Sequence, residues 1–445
     1  MIHVLFQPEI EQMDRKTLQA LQSERLKETV YRAYEHVPFY RRKFDELGVR
    51  PEDIRGIEDI YRLPFMKKTD FRENYPFGLF AVNQTDVVRL HGSSGTKGKP
   101  TVVGYTKRDI ENWAECVARA IATAGGIPGD IFHVLYGYGL FTGGLGLHYG
   151  AERLGMTVVP VSVGNTSRQI TLIEDFKPRG VAGTPSYLLN IVETLEAMGK
   201  DPRQVSLEYG ILGAEPWSEE MRKALEEKLG MKALDIYGLS EVMGPGVGIE
   251  CAEAQDGLHI AEDHFLIEIV HPQTGEPVPD GELGEVVFTT LTKEALPVIR
   301  YRTGDMAYIY PEACRCGRTH VRMSRIKGRL DDMLIVRGVN VFPSEIESVV
   351  MNIADLSPYY QIVVERQGTL DELTLCVEVN ERLVSMAGEF NLQHEAFRSL
   401  HHQLGHELKN TLGIGTKITL CEPGTLPRSE GKAVRIVDHR NLYHV

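Results

Sequence analysis

The sequence predicts an α/β protein with a large N-terminal domain of several sheets and a smaller α+β C-terminal domain. Short apolar segments alternate with helical segments between residues 131 and 237, a pattern typical of a parallel sheet covered by helices on both faces. Short β segments separated by turns follow from 265 to 310, and a separate unit begins after Gly328. We therefore place the two domains at residues 1–328 and 329–445.

Local composition predicts the individual elements. Short apolar runs predict strands at Ile131–Tyr136, Met156–Val161, Gly180–Gly183, Glu208–Leu212 and Lys232–Tyr237. Helical spacing predicts helices at Ser186–Met198 and Ser218–Leu229, and at residues 11–47 with a break at Pro38. In the C-terminal unit we expect strands at Met333–Val336 and Gln361–Glu365 and a helix near 343–351.

Length, charge and cysteine content narrow the possible functions. The chain has 49 basic residues against 62 acidic ones, which argues against a nucleic-acid or membrane-surface binder, because either needs a basic stripe. The residues that follow Met1 lack the regions of a signal peptide, and the apolar run Ile131–Tyr149 is interrupted by His133, His148 and glycines. Six cysteines do not make a disulfide framework at this length. These features predict a protein of the reducing cytoplasm with no nucleic-acid or membrane partner.

A glycine-rich segment has the composition of a phosphate-binding loop. It contains Ser93, Ser94, Gly95, Thr96, Lys97 and Gly98. Glycines let backbone N–H groups face an anion, hydroxyls add donors and lysine adds charge. It is not a Walker loop, because Lys99 is followed by Pro100 where that motif needs serine or threonine. The flanking segments Val87–Leu90 and Thr101–Tyr105 look like strands, so we expect a mobile hairpin over a polyphosphate; the alternative is a flexible surface turn.

Two predicted strand ends offer further nucleotide contacts, because ligands bind beyond the carboxyl ends of parallel strands. The segment at the end of the last strand contains Asp235, Ile236, Tyr237, Gly238, Ser240 and Glu241. The Glu241 carboxylate suits a Mg²⁺ ion that bridges phosphate oxygens, and the Tyr237 ring can lie against a base. The preceding strand ends in Gly213, Ala214, Glu215 and Pro216, which would form the opposite wall. The alternative is an ordinary strand–turn–helix junction.

Three later loops supply charged groups. Asp305 follows a glycine in a tight loop and suits hydrogen bonds from ribose hydroxyls; the alternative is a turn in which the aspartate binds its own backbone. Arg329 lies at the predicted domain boundary, where it can contact ribose or phosphate, and Asp331 is a candidate hinge; the alternative is a charged linker. Lys432 lies in a surface loop bounded by proline and glycine. Together the loops predict an enzyme that activates a carboxylic acid with ATP, with Lys432 adding the last positive charge.

In their order along the chain, these motifs resemble the core motifs of the acyl-adenylate-forming enzymes. They are Ser93–Thr96, Tyr237–Glu241, Tyr301–Asp305, Gly328–Arg329 with Asp331–Asp332, and Pro427 to Lys432. Longer segments look like the phenylacetate–CoA ligase family, namely Glu262–Phe265, Leu291–Tyr301 and Met333–Pro343. The resemblance covers essentially the whole chain.

This resemblance implies an acyl-adenylate-forming N-terminal domain, a mobile C-terminal domain that carries the catalytic lysine, and a two-step reaction. A carboxylate attacks the α-phosphate of ATP, which gives an acyl-adenylate and pyrophosphate, and the thiol of coenzyme A then displaces AMP. The resemblance implies that the reaction uses ATP, Mg²⁺ and coenzyme A. It also implies that the catalytic residues are Lys432, Glu241 and Arg329. An aryl acid would lie beside Tyr136, Phe141 and Pro245; the alternative is aromatic packing in the core. The resemblance also implies a homodimer.

A second metal site is predicted away from these loops. It combines Cys251 and His259 with the pair Cys314 and Cys316, which lies in a loop bounded by proline and glycine. Three thiolates and an imidazole form a closed tetrahedral site of the kind that holds a structural Zn²⁺. The alternative is four unrelated, reduced side chains, because the gap between Cys314 and Cys316 is shorter than usual. The remaining cysteines are expected in the core: Cys116, Cys376 and Cys421.

Two alternative functions stay open. The same motifs fit an adenylating enzyme with a different acid or with an acceptor other than coenzyme A. They also fit a nucleotide-binding regulatory protein that does not turn over, although such a protein would not need Lys432 together with Glu241 and Asp305.

Overall fold

The computed structural model describes residues 4–93, 101–330, 334–337, 339–367, 370–428 and 434–440. The chain forms two compact units, and each has its own hydrophobic core. Unit one comprises Met1–Gly183, Val205–Ala214 and Met231–Lys327. Unit two comprises Thr184–Gln204, Glu215–Gly230 and Gly328–Val445. Unit two thus takes in two segments that lie, in sequence order, within unit one.

Unit one combines helices with strands of several sheets. Its helices are α1 (Pro8–Glu11), α2 (Arg15–His36), α3 (Pro38–Leu47), α4 (Lys68–Glu73), α5 (Lys107–Thr123), α6 (Gly143–Leu154) and α7 (Thr166–Phe176). Its strands are β1 (Arg89–Gly92), β2 (Val102–Tyr105), β3 (Ile131–Val134), β4 (Thr157–Val159), β5 (Gly180–Gly183), β6 (Tyr209–Gly213), β7 (Lys232–Leu239), β8 (Gly244–Glu250), β9 (Leu258–Ile260), β10 (Phe265–Val270), β11 (Gly284–Thr290), β12 (Tyr301–Ala307) and β13 (Arg322–Met323).

The larger sheet of unit one is mixed. Its strand order is β13-β9-β8-β7-β6-β5-β3-β4. The neighbours from β4 to β7 are parallel, which confirms the predicted parallel strands. β8, β9 and β13 extend the sheet in antiparallel fashion, which was not predicted. The chain turns from β7 into β8 through residues 240–243, and a parallel neighbour would need a crossover of about a dozen residues or more.

Two smaller groups of strands in unit one agree with the sequence. β1 and β2 form the predicted hairpin, in which Arg89 pairs with Tyr105 and Gly92 with Val102. The strands β10, β11 and β12 are antiparallel neighbours, which confirms the β segments expected from 265 to 310. The hairpin places the two ends of the glycine-rich segment side by side.

The predicted helical range 11–47 is occupied mainly by α2 and α3, and the predicted break lies at Pro38, whereas α1 begins earlier, at Pro8. The Asp14 side chain accepts a 3.0 Å hydrogen bond from the backbone N–H of Thr17 and so caps α2. α3 begins at Pro38, whose missing N–H costs nothing at the first position of a helix. Leu18, Leu26 and Val30 of α2 are buried, as their helical spacing predicts.

Unit two has a four-stranded sheet with helices, which confirms the predicted α+β character. Its helices are α8 (Pro185–Ala197), α9 (Glu219–Leu229), α10 (Pro343–Met351), α11 (Glu381–Ala387) and α12 (Glu395–Leu412). Its strands are β14 (Gly328–Arg329), β15 (Leu334–Val336), β16 (Val339–Val341), β17 (Leu356–Gln367), β18 (Leu370–Val379), β19 (Lys417–Cys421) and β20 (Ile436–Asp438).

The four-stranded sheet of unit two has the order β19-β18-β17-β20. β17 and β18 are antiparallel, and each outer strand runs parallel to its neighbour. Leu400, Leu404 and Leu408 recur at helical spacing along α12 and lie in the core of this unit. Within the described part of the chain, no helix is both long enough and apolar enough to cross a membrane.

Candidate active site and metal centre

The end of β7 brings together two predicted nucleotide-binding residues. The Tyr237 hydroxyl donates a 2.6 Å hydrogen bond to Oδ2 of Asp305 on β12. The Tyr237 ring also stacks on Phe288 of β11, with 6.0 Å between the ring centroids. A ring face and a carboxylate therefore meet at one place, although 68 positions separate them in sequence.

Glu241 follows β7 and is 5% exposed. No described residue forms a hydrogen bond or an ion pair with its carboxylate. A buried carboxylate is costly unless a cation or donors compensate its charge, and Mg²⁺ prefers such oxygen ligands. Next to it, the Ser240 hydroxyl lies 3.2 Å from the Thr142 hydroxyl. The donor chemistry at Glu241 therefore fits a magnesium ion.

Asp235 lies in a different environment from Glu241. β7 extends to Leu239, so Asp235 and Ile236 lie inside the strand, and Gly238 pairs with Pro245. The Asp235 carboxylate accepts a 3.2 Å hydrogen bond from Arg325 Nε. Its charge is therefore neutralised by an arginine of the same unit.

Gly213 and Ala214 lie where β6 ends. A Cβ atom at Gly213 would come 2.5 Å from the Ile236 carbonyl oxygen, so only glycine allows this approach of β6 to β7. Ala214 has a φ angle of 68°, which directs the chain sharply out of the sheet. In unit two, Glu215 precedes Pro216 and accepts a 2.8 Å hydrogen bond from the Ser186 N–H.

Part of the predicted phosphate site lies outside the described residues, namely Ser94, Gly95, Thr96, Lys97, Gly98 and Lys432. The candidate hinge Asp331 also lies outside them. Ser93 is described, and its N–H donates to the Thr101 carbonyl at 3.1 Å. Its hydroxyl is buried and has no hydrogen-bond partner within the described ranges. Arg329 lies half-buried on β14 of unit two. This buried hydroxyl at the edge of the loop is a candidate donor to a phosphate oxygen.

The residues predicted to border an aryl acid differ in exposure. Tyr136 is buried after β3, whereas Phe141 is 53% exposed. The Pro245 carbonyl accepts a 2.9 Å hydrogen bond from the indole N–H of Trp113. A Cβ atom at Gly146 of α6 would come 2.5 Å from Trp113 and 2.7 Å from Pro245. Glycine at 146 thus allows α6 to approach the start of β8 closely.

The sequence interpretation missed a buried lysine in unit one. Lys293 is 2% exposed, and its Nζ lies 3.3 Å from the centroid of the Tyr105 ring without a hydrogen-bond partner among the described residues. Burial lowers the pKa of Lys293 to about 7. The Tyr105 hydroxyl donates a 2.7 Å hydrogen bond to the Met243 carbonyl, two residues after Glu241. The available sequence signal was a lysine beside Glu294, at the start of the apolar run 295–299.

The four predicted zinc ligands come together in unit one. One ligand atom from each of Cys251, His259, Cys314 and Cys316 lies within 4.8 Å of all the others, and all four residues are buried. The Sγ atoms of Cys251 and Cys314 are 3.7 Å apart, and Cys316 Sγ lies 3.3 Å from His259 Nε2. The antiparallel pairing of β9 with β13 places His259 opposite Arg322 and so brings the two sequence segments together.

The electrostatics of this cluster favour a cation. The hydrogen bond between Cys251 and Cys316 lowers the pKa of Cys316 and raises the pKa of Cys251. The His259 Nδ1 faces the His320 carbonyl at 3.4 Å, which leaves Nε2 toward the thiols. This arrangement fits the Cys₃His donor set of a structural zinc site. Cys116 is buried as expected, but Cys376 on the inner strand β18 and Cys421 on the edge strand β19 are only half-buried.

Family models match most of the chain. A model described as AMP-binding enzyme matches residues 13–291. The chain belongs to this family. A model of the AMP-binding enzyme C-terminal domain matches residues 338–440. The interval between these matches contains the predicted domain boundary at 328/329, which stays a prediction.

Two relatives of this AMP-binding protein are similar to it over nearly their full length. It is 55% identical over 444 residues to phenylacetate-coenzyme A ligase of Thermus thermophilus, which covers 98% of this chain and 100% of the relative. It is 56% identical over 426 residues to the ligase of that name from Escherichia coli, with 96% and 95% covered.

Solved structures of 2-hydroxyisobutyryl-CoA ligase are 30% identical to this chain. The postadenylation state with R3-HIB-AMP matches with a TM-score of 0.91 and covers 97% of this chain and 92% of the other. The thioesterification state with 2-HIB-AMP and CoA matches with a TM-score of 0.72 and covers 98% and 92%. The predicted fold class and the resemblance to phenylacetate–CoA ligases are thereby confirmed. The roles of individual residues stay predictions.

Proposed function

We propose that this protein joins phenylacetate, or a related aryl acid, to coenzyme A through an acyl-adenylate, with release of AMP and pyrophosphate. The observation that carries this proposal is the 51–56% identity to four phenylacetate-coenzyme A ligases over at least 96% of the chain. At that identity over nearly full length, the site residues and the substrate class are expected to be shared.

The nucleotide is proposed to bind along the end of β7. Tyr237 offers its ring to the base, and Asp305, already held by the Tyr237 hydroxyl, accepts hydrogen bonds from the ribose. Glu241 would hold Mg²⁺, which neutralises phosphate charge when bound. Because two anions must meet in the first step, charge neutralisation and positioning are the main tasks of the protein.

The two half-reactions need different groups. Adenylation requires positive charge on the phosphates, which Lys432 would supply with Arg329. In the second step the thiol of coenzyme A attacks the acyl carbonyl, and AMP leaves with its bonding electrons. The lysine has no task in that step, so a mobile C-terminal domain could carry it away and open a path for the thiol.

We further propose that Cys251, His259, Cys314 and Cys316 hold a structural Zn²⁺. The buried donor cluster supports this proposal, because one ligand atom from each of the four residues lies within 4.8 Å of the others, and zinc takes this donor set at about 2.0–2.3 Å from each ligand atom. Metal analysis after purification without added zinc tests it. About one equivalent in the wild type and none in Cys314→Ser would support the site, and no zinc in either protein would remove it.

A cytoplasmic location and a homodimer complete the proposal. The six cysteines are free thiols, which suits a reducing compartment. Light scattering of the purified protein would test the dimer, since a mass near 49.9 kDa would mean a monomer.

Acid-dependent exchange of pyrophosphate into ATP tests the proposed function. Phenylacetate should support exchange. Benzoate, indoleacetate and acetate are tested separately, so that the four acids can be ranked as substrates. Exchange without coenzyme A-dependent AMP release would indicate a different acceptor. Absence of exchange with every acid would contradict the proposal and favour a nucleotide-binding protein without turnover.

A further inference from the structure

The segment that leads to Lys432 is held by a buried carboxylate of unit two. Glu378 of β18 is fully buried and accepts hydrogen bonds from the N–H groups of Gly424 at 3.1 Å and Leu426 at 2.6 Å. It also forms two parallel hydrogen bonds with the Arg428 guanidinium, at 2.8 and 2.9 Å. Paired contacts of this kind are strong and fix orientation. Arg428 thereby becomes a rigid point four residues before Lys432.

Arg428 is in turn connected to helix α8. Its guanidinium carbon lies 3.4 Å from the centroid of the Tyr359 ring. The Tyr359 hydroxyl donates a 2.7 Å hydrogen bond to Glu193 Oε2 on α8, and Arg428 Nε lies 3.8 Å from the same oxygen. We call these four residues, Glu193, Tyr359, Glu378 and Arg428, the Arg428 cluster. It places one basic group, Arg428, between two carboxylates and against one aromatic ring.

The members of the Arg428 cluster come from different parts of the sequence. Glu193 lies within the match to the AMP-binding enzyme model, and the other three lie within the match to its C-terminal domain. All four belong to unit two. The contacts of Glu193 therefore tie the C-terminal segment to a helix of the AMP-binding segment, whereas those of Glu378 act within the C-terminal segment alone.

We propose that Glu193 and Tyr359 are positioning residues for adenylation: they hold Arg428, and with it the loop of Lys432, in the place that the first half-reaction needs. The proposal rests on the two-step ligation proposed above. Since Lys432 has no task in the second half-reaction, the contact of Glu193 with Tyr359 must then be broken. Loss of this contact should slow the first step and leave the second step unimpaired.

The test compares the two half-reactions in the full-length protein. Glu193→Ala and Tyr359→Phe should each lower phenylacetate-dependent ATP–pyrophosphate exchange roughly tenfold, the effect of losing one hydrogen bond to a charged group. Reaction of synthetic phenylacetyl-adenylate with coenzyme A should proceed at least as fast as in the wild type. Because Glu193→Ala removes both contacts of Glu193 and Tyr359→Phe removes one of these two, the double variant should be no slower than Glu193→Ala alone. Glu193→Gln keeps an acceptor for the hydroxyl and should restore most of the exchange.

Glu196→Ala is the matched control. Glu196 lies one turn further along α8 and pairs with Lys228 at 2.8 Å, outside the Arg428 cluster. It should leave both half-reactions unchanged. Equal loss of both half-reactions in Glu193→Ala, or unchanged exchange, would overturn the positioning role.

A second measurement keeps this proposal separate from the proposed function. The N–H groups of Gly424 and Leu426 should exchange with deuterium faster in Glu193→Ala than in Glu196→Ala, since Arg428 loses its link to α8. Unchanged deuterium exchange would overturn the proposal whatever acid the enzyme uses. Failure of the wild type to turn over phenylacetate would instead count against the proposed function alone.

Discussion

Replacing Lys293 with methionine should stabilise unit one at neutral pH. Burial lowers the pKa of Lys293 from 10.5 to about 7, so the folded protein binds fewer protons than the unfolded chain between these values. The resulting cost is fully present below about pH 7 and disappears as the pH rises to 10.5. At about 1.4 kcal/mol for each pH unit, it amounts to about 5 kcal/mol.

Fluorescence of Trp113 offers a local assay, because this ring stacks on Tyr105 with 5.1 Å between centroids. The chain has two tryptophans, and Trp217→Phe removes the other one. In that background we expect Lys293→Met to raise the free energy of unfolding of unit one in urea by up to about 5 kcal/mol at pH 7, and by less near pH 9. Lys67→Met, at an exposed lysine, is the control and should show no such pH-dependent gain. Identical pH dependence in Lys293→Met and its parent would refute the reasoning.

Three further predictions concern the sites. Glu241→Gln should lower Mg²⁺-dependent pyrophosphate exchange by about tenfold or more and raise the Mg²⁺ requirement; unchanged exchange kinetics would count against the magnesium role. Tyr237→Phe removes the hydrogen bond to Asp305 and should raise the KM for ATP by about fivefold, the equivalent of about 1 kcal/mol. An unchanged KM would argue against a role of Tyr237 and Asp305 in nucleotide binding. Cys314→Ser should have a lower melting temperature than the wild type, and a chelator should lower the melting temperature of the wild type but not that of the variant. An unchanged melting temperature in the variant would argue against a structural metal.

Much of the fold was predictable because it follows local patterns. The parallel strands β3 to β7 and the helices α8 and α9 appear where apolar periodicity and turn residues place them. The antiparallel extension by β8, β9 and β13 was not predicted, since strand direction depends on connection length and on partners far away in sequence. The grouping of α8 and α9 into unit two depends on tertiary contacts that no local pattern encodes.

The candidate site was partly predictable for a related reason. Residue types at a strand end indicated Tyr237 and Glu241. An aspartate after a glycine indicated Asp305, which the structure places inside β12 and not in the predicted tight loop, where it accepts the hydrogen bond from Tyr237. The sequence could not distinguish Asp235, which pairs with Arg325, from Glu241, because both carboxylates lie near the end of one strand. Lys293 escaped notice because a buried charge has no periodic signature.

Coenzyme A-dependent release of AMP from ATP in the presence of phenylacetate tests the central claim most directly. The account predicts AMP and phenylacetyl-CoA in equal amounts, formed only when ATP, Mg²⁺, phenylacetate and coenzyme A are all present. Release of AMP that is independent of phenylacetate, or absence of the thioester with every aryl acid tried, would contradict it.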